Sequence, residues 1–396
     1  MFPSLGARAY GGPFRESKSR PGLCLPSLPV AASAIVPEVP VLDVFAGAGG
    51  LSSGLAQAGF APVGAVEVSE DAARTYEATH GVDVDRRRLE DIPAHELVAM
   101  RGRVPVVAGG PPCQPWSTGG LRRGHADDRD GFTAMFRALE LIRPTAFVIE
   151  NVAGLERGRT RPYFLELVAV LRDELGYEVT TRTLNAADFG VPQQRLRMFI
   201  VGMRDAGFAF PEPTHGPGCP KPWRTAGDVL TAEPVGEPNA SIVTYAKKPD
   251  LRPSPYDGLL FNGGGRPINL EAPARTILAS AGGNKTPFVD TLGVVGPYHR
   301  ELLDGGAKCV RSGIVPGARR ITVTESAALQ SFAPGTRFHG KRSTQYTLVG
   351  NAVPPRLARA VGEALHSAIQ TGRDAARLPA SHERRGHGAD EGQPPG

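Results

Sequence analysis

The chain has 396 residues, of which 41% are hydrophobic, and its 45 Lys and Arg against 40 Asp and Glu give a formal charge of +5. This length supports one large domain and a smaller one, each with its own core, and the mild basic excess is compatible with a polyanionic partner without identifying one. No stretch approaches the roughly 20 apolar residues that span a bilayer, and no charged start followed by an apolar segment opens the chain, so a cytoplasmic protein away from membranes is expected. Four cysteines, Cys24, Cys113, Cys219 and Cys309, lie far apart with no C-x-x-C pair, so neither a disulfide framework nor a zinc site is expected, and no metal.

In chain order, residues 1–38 are rich in Pro, Gly, Ser and Ala with no apolar period and read as a flexible extension. The short β-branched runs "VLDVF", "APVGAVEV", "VPVVAGG" and "TAFVIENV" then alternate with "SEDAARTYEATH" and "FTAMFRALELIRP", which have helical spacing. That alternation predicts an α/β domain over 39–204, a parallel sheet with helices on both faces and ligands gathered at the carboxyl ends of the strands. Over 205–318 the pattern dissolves into Pro- and Gly-rich text, which predicts a smaller irregular domain. Helical spacing returns in "VTESAALQSF" and "PPRLARAVGEALHSAIQ", so 319–371 is expected to complete the first domain, leaving 372–396 as a flexible tail.

Three stretches carry chemistry. In "DVFAGAGGLSSG", residues 43–54, a buried strand runs through glycines into a helix, where a ligand can approach the backbone and meet free N–H groups. Ser52 stands where the dinucleotide fingerprint needs glycine, and Glu67, after the second strand, is placed to accept hydrogen bonds from a ribose. In "GGPPCQPWS" a proline-stiffened loop just past a strand holds Cys113 where a thiolate can act as nucleophile. Glu150 and Asn151 end the next strand-like run, at the same end of a parallel sheet as Cys113, and a carboxylic acid there can protonate a ring nitrogen while sulfur attacks the adjacent carbon. In "VPQQRLRMF" the period of two puts Arg195 and Arg197 on one strand face, suited to a carbonyl oxygen and an anion.

Taken together and in this order, "DVFAGAGGLSSG", "GGPPCQPWS", "ENV", "QQRLR", "RRITVTESAALQSF" and "GNAVPP" resemble the cytosine-C5 DNA methyltransferases over roughly residues 40–368. The resemblance implies a Rossmann-like sheet with an irregular target-recognition domain. It implies S-adenosylmethionine held by the turn of Phe45, Ala46, Gly47, Gly49, Gly50 and Leu51, with Glu67 and Val68 at the ribose, Asp91 and Ile92 beside the adenine, Pro111 and Phe132 in the same pocket, and Asn351 and Val353 completing it. Cys113 would attack C6 of a flipped-out cytosine, Glu150 would stabilise the protonated N3 with Asn151 beside it, Arg195 would hold the base at O2 and help the thiolate, and Arg197 would support that site.

Contacts to double-stranded DNA would come from Gln114, Ser117, Arg122 and Arg123 after the cysteine, and from Thr276 and Ile277 in "ARTILASAGG", which is similar to the family's recognition pair. A bacterial, cytoplasmic, monomeric enzyme that accompanies a restriction endonuclease is the corresponding expectation. Thr324 departs from the family, whose members often carry arginine there, and "PPC" fails the S/D/N-P-P-aromatic motif of amino-methylating enzymes. Two alternatives stay open: a tRNA cytosine-C5 methyltransferase, and a DNA-binding regulator without catalysis.

Overall fold

The computed structural model describes residues 38–112, 131–204, 206–249 and 266–377. The N-terminal extension up to residue 37, the tail from 378, and the segment with Cys113, Gln114, Ser117, Arg122 and Arg123 lie outside the described residues.

Strands β1 (Val39–Val44), β2 (Phe60–Val66), β3 (Val84–Asp85), β4 (Val106–Gly109), β5 (Ala146–Val152) and β6 (Glu178–Asn185) contribute to the main sheet. After the short β7 (Gln193–Gln194), β8 (Leu196–Met203) completes it, and the order is β3-β2-β1-β4-β5-β8-β6. The strands from β1 to β5 run parallel, whereas β8 runs antiparallel to both β5 and β6. The sheet is therefore mixed rather than parallel throughout: the link from Asn185 to Leu196 is too short for the crossover that a parallel pair needs.

The near-continuous apolar strands follow from burial on both faces. Phe147 and Ile149 of β5, Met198 and Ile200 of β8 and Val107 of β4 pack on one side. Their partners there are helices α3 (Ala94–Val98), α4 (Gly131–Ile142) and α5 (Arg161–Ala169), through Leu97, Met135, Leu139 and Phe164. The alternate residues Ala146, Val148, Phe199 and Val201 face α1 (Gly50–Gln57) and the C-terminal helix, through Leu51, Leu55, Leu357, Val361 and Leu365. Helix α2 (Glu70–His80) packs beside β3 through Ala73 and Tyr76.

The smaller unit has little regular structure. Its strands are β9 (Ala274–Arg275), parallel to β7, and the antiparallel pair β10 (Phe288–Asp290) and β11 (Ala318–Arg320). Helix α6 (Val295–Gly305) packs Val295, Tyr298 and Leu302 onto Phe288. Helices α7 (Val323–Leu329) and α8 (Arg342–Asn351) lead to α9 (Pro355–Arg377). Ile321, Leu329 and Tyr346 share a core with Ala226, Leu230, Ile277 and Val289. Leu348 packs with Ala48 and Ala72, and the chain joins the main sheet's core from Val353 onward. Among the described residues no helix is long and apolar enough to cross a membrane.

Candidate active site

At the end of β1 the backbone turns left-handed three times, at Phe45 (φ 56°), Gly47 (φ 55°) and Gly49 (φ 79°), before α1 begins. For Phe45 this is an uncommon conformation that the surroundings must hold in place. The amide of Ala46 donates to the Val66 carbonyl at 3.1 Å, which ties the turn to the end of β2. Glu67 follows at once, and its carboxylate accepts from the amides of Gly47 (2.9 Å) and Ser69 (2.8 Å). Each carboxylate oxygen retains capacity for a further donor. A Cβ added to Gly47 would meet nothing within 4 Å, so the turn opens onto free space beside Glu67.

Behind the turn lies a buried polar group that the sequence reading missed, although an aspartate inside the apolar run "VLDVF" is a signal for one. Asp43 Oδ2 accepts from the Ser52 hydroxyl at 2.6 Å, and Ser52 also shares a hydrogen bond with the Tyr76 hydroxyl at 2.8 Å. Burial, with a smaller push from the Glu67 charge, raises the Asp43 carboxyl to about 7 against the pull of the Ser52 hydrogen bond.

The C-terminal segment closes on the other side of the turn. There is no room for a side chain at Gly50, because the carbonyl of Val353 lies against it. Asn351 is exposed beside this contact, and Val353 is buried in the α1–α9 core. Val68 is exposed, Asp91 is exposed, and the Ile92 carbonyl accepts from Arg137 Nη2 at 2.9 Å. Phe132 is 0% exposed and sits edge-on to Tyr163 within the core.

The described ends of the Cys113 segment meet: the amide of Gly131 donates to the Pro112 carbonyl at 3.1 Å. Asn151 Nδ2 donates to the Pro111 carbonyl at 3.0 Å and so fixes the base of that segment to the end of β5. The β4–β5 register, Gly109 opposite Ile149, carries Glu150 to Gly110, where an added Cβ would lie 3.3 Å from Glu150 Oε2. Glu150 is buried, and its Oε1 pairs with Arg197 Nε at 2.7 Å. Burial pushes the Glu150 carboxyl above its usual range, and the Arg197 and Arg195 charges offset this only in part.

The two arginines differ in what they hold. Arg195 lies between β7 and β8. Its side chain is 1% exposed, with Nη1 on the Ile277 carbonyl (3.1 Å) and Nη2 on the Gly350 carbonyl (2.6 Å). Arg197, expected in support, is the arginine that reaches Glu150. Asn185, which the sequence reading did not single out, accepts from the Arg195 amide at 3.1 Å.

Thr276 donates its hydroxyl to the Gln194 carbonyl at 2.8 Å, and the Ile277 amide donates to Gln193 Oε1 at 3.3 Å. Ile277 is 1% exposed within the small unit's core, and the apolar side chain displayed at this point is that of Leu278, 48% exposed.

Against known proteins, residues 39–232 and 271–367 match the model of the family described as C-5 cytosine-specific DNA methylase. The Type II methyltransferase M.AplI of Arthrospira platensis is 33% identical over 349 residues, covering 84% of this chain and 87% of that protein. M1.HphI of Haemophilus parahaemolyticus is 35% identical over 347 residues, covering 82% and 86%. Among solved structures, the S. pombe Dnmt2 methyltransferase superposes with a TM-score of 0.60 at 15% identity over 84% of this chain and 98% of its own. A Spodoptera frugiperda DNMT2 mutant gives 0.61 at 18% identity, over 84% and 99%. At these identities the two structures share the fold.

Proposed function

The chain belongs to the C-5 cytosine-specific DNA methylases and is a DNA (cytosine-5)-methyltransferase; we propose that it takes its methyl group from S-adenosylmethionine, with Cys113 as nucleophile and Glu150 as the acid at N3. The observation that carries this reading is the placement of Glu150 against Gly110, three residues before Cys113, with its carboxyl raised by burial.

The residues around the glycine turn fit the donor. Gly47 faces open space, Glu67 has acceptor capacity for ribose hydroxyls, and Asn351 and Val353 close the opposite side. When bound, S-adenosylmethionine supplies an electrophilic methyl on a sulfonium. Phe132 and Ile92, assigned to the same pocket, are both wholly buried.

A cytosine stacked in a duplex is out of reach, so the base must be flipped out at a cost of about a few kcal/mol. Glu150 then holds a proton at N3 while the Cys113 sulfur bonds to C6, and the ring becomes electron-rich at C5. Once C5 carries the methyl group, its proton leaves, the electron pair restores the ring double bond, and sulfur departs from C6. Arg197 orients the Glu150 carboxyl through their ion pair and supplies positive charge beside it. Asn151 holds Pro111, two residues before Cys113, by its hydrogen bond to the Pro111 carbonyl.

In this reading the substrate is double-stranded DNA, sequence specificity resides between about residues 205 and 318, and the protein acts as a monomer in the bacterial cytoplasm beside a cognate endonuclease. The similarity to Type II methyltransferases supports that setting. Transfer of tritium from labelled S-adenosylmethionine to duplex DNA and to tRNA tests it. Label is expected in DNA, and label confined to tRNA, or in neither, contradicts it.

A further inference from the structure

Arg195 is one of the largest wholly buried side chains of the protein, and its guanidinium joins parts of the chain that are remote in sequence. Its backbone is fixed at the turn into β8, with the amide on Asn185 Oδ1 (3.1 Å) and the carbonyl accepting from Ala186 (2.9 Å). Its Nη1 holds the Ile277 carbonyl of the smaller unit, and its Nη2 holds the Gly350 carbonyl at the end of α8.

These two segments also touch each other. A side chain at Gly350 would run into the backbone of Leu278 and Ala279, and the Thr347 hydroxyl donates to the Ala279 carbonyl at 3.0 Å. The same segment is held along β7 by Thr276 on Gln194, by Arg275 Nη1 on Gln194 Oε1 at 2.7 Å, and by Ile277 on Gln193. Three residues past Gly350, the Val353 carbonyl presses on Gly50 of the glycine turn. Two residues past Arg195, Arg197 pairs with Glu150.

Burying a guanidinium is costly, and Nε of Arg195 has no hydrogen-bond partner among the described residues. An apolar side chain could fill this space, but only a planar fork can grip two carbonyls at once. We propose that Arg195 is a positioning residue for specificity: it locks the Thr276–Ala279 segment and the Gly350–Val353 segment onto the start of β8, so that the DNA-reading face keeps one fixed geometry relative to Glu150 and the cofactor turn. Arg195 then acts through the segments it holds and not by contact with the target base. This inference rests on the reading of the chain as a DNA methyltransferase.

The test uses duplexes that carry the methylated site, identified by bisulfite sequencing, either intact or with an abasic nucleotide at the target cytosine, together with a scrambled duplex. Arg195→Lys, which keeps the charge and loses the fork, is expected to lower the ratio of site to scrambled affinity about tenfold or more on both the intact and the abasic duplex. Thr276→Val, nearly isosteric and acting on the same segment from the other side, should shift the ratio in the same direction by less, and it decides the matter should Arg195→Lys fail to fold. A loss confined to the intact duplex, or unchanged discrimination in the folded variants, overturns the proposal. Absence of methylation of the intact duplex by the wild-type protein would instead overturn the underlying reading.

Discussion

Glu150 on β5 and Arg197 on β8 form a buried ion pair, Oε1 to Nε 2.7 Å, although the register sets Arg197 opposite Val152. The contact is therefore diagonal across the two strands, a reach that a long side chain spans. It places one carboxyl and one guanidinium at the mouth from which the Cys113 segment departs.

Glu150→Gln keeps the shape and removes the titratable proton. The rate of methyl transfer in a single turnover should fall by about 10²- to 10⁴-fold. Stability should fall as well, because Arg197 is left without its charge partner in a buried site. A rate within threefold of wild type would remove Glu150 from the chemistry.

Glu67→Ala should weaken S-adenosylmethionine binding by about 1–3 kcal/mol, since the ribose loses a charged acceptor. The amides of Gly47 and Ser69 lose the same carboxylate, so part of this loss reflects a looser turn. Calorimetry reads the change, and an unaltered affinity would exclude Glu67 from the site.

Asp43 makes a prediction about pH. Its folded pKa of about 7 lies above that of an ordinary aspartate, so the folded state favours the protonated form. The corresponding stability is present in full below about pH 4 and is lost as the pH rises through about 7. Asp43→Asn stays neutral and lacks this component, so its melting temperature relative to wild type should climb from pH 5 to pH 8. A difference that is flat with pH would contradict the assignment.

The strands, the glycine turn and Glu67 were legible in the sequence because strand period, glycine and carboxylate each act locally. The juxtaposition of Glu150 and Gly110 was legible too, since consecutive parallel strands bring their carboxyl ends together. The reversal of β8 was not, since it depends on the tight passage from Asn185 to Leu196, and neither were the partners of Arg195, because the Ile277 and Gly350 carbonyls are remote in sequence. Ile277 was expected at the DNA and lies in a core, because "ARTILASAGG" has no period to tell an inward residue from an outward one.

The central claim is that Cys113 bonds to C6 of cytosine, and a target carrying fluorine at C5 tests it most directly. An unperturbed thiol has a pKa near 8.5, so a positive neighbour must favour the thiolate at neutral pH against the cost of excluding water. After sulfur has added and C5 has been methylated, no proton remains at C5 to leave, and protein and DNA stay joined. On a denaturing gel, wild-type protein with 5-fluorocytosine DNA and S-adenosylmethionine should give a shifted band, and Cys113→Ala should give none while remaining folded. A shifted band that survives in Cys113→Ala, or its absence with a wild-type protein that methylates ordinary DNA, would contradict the account.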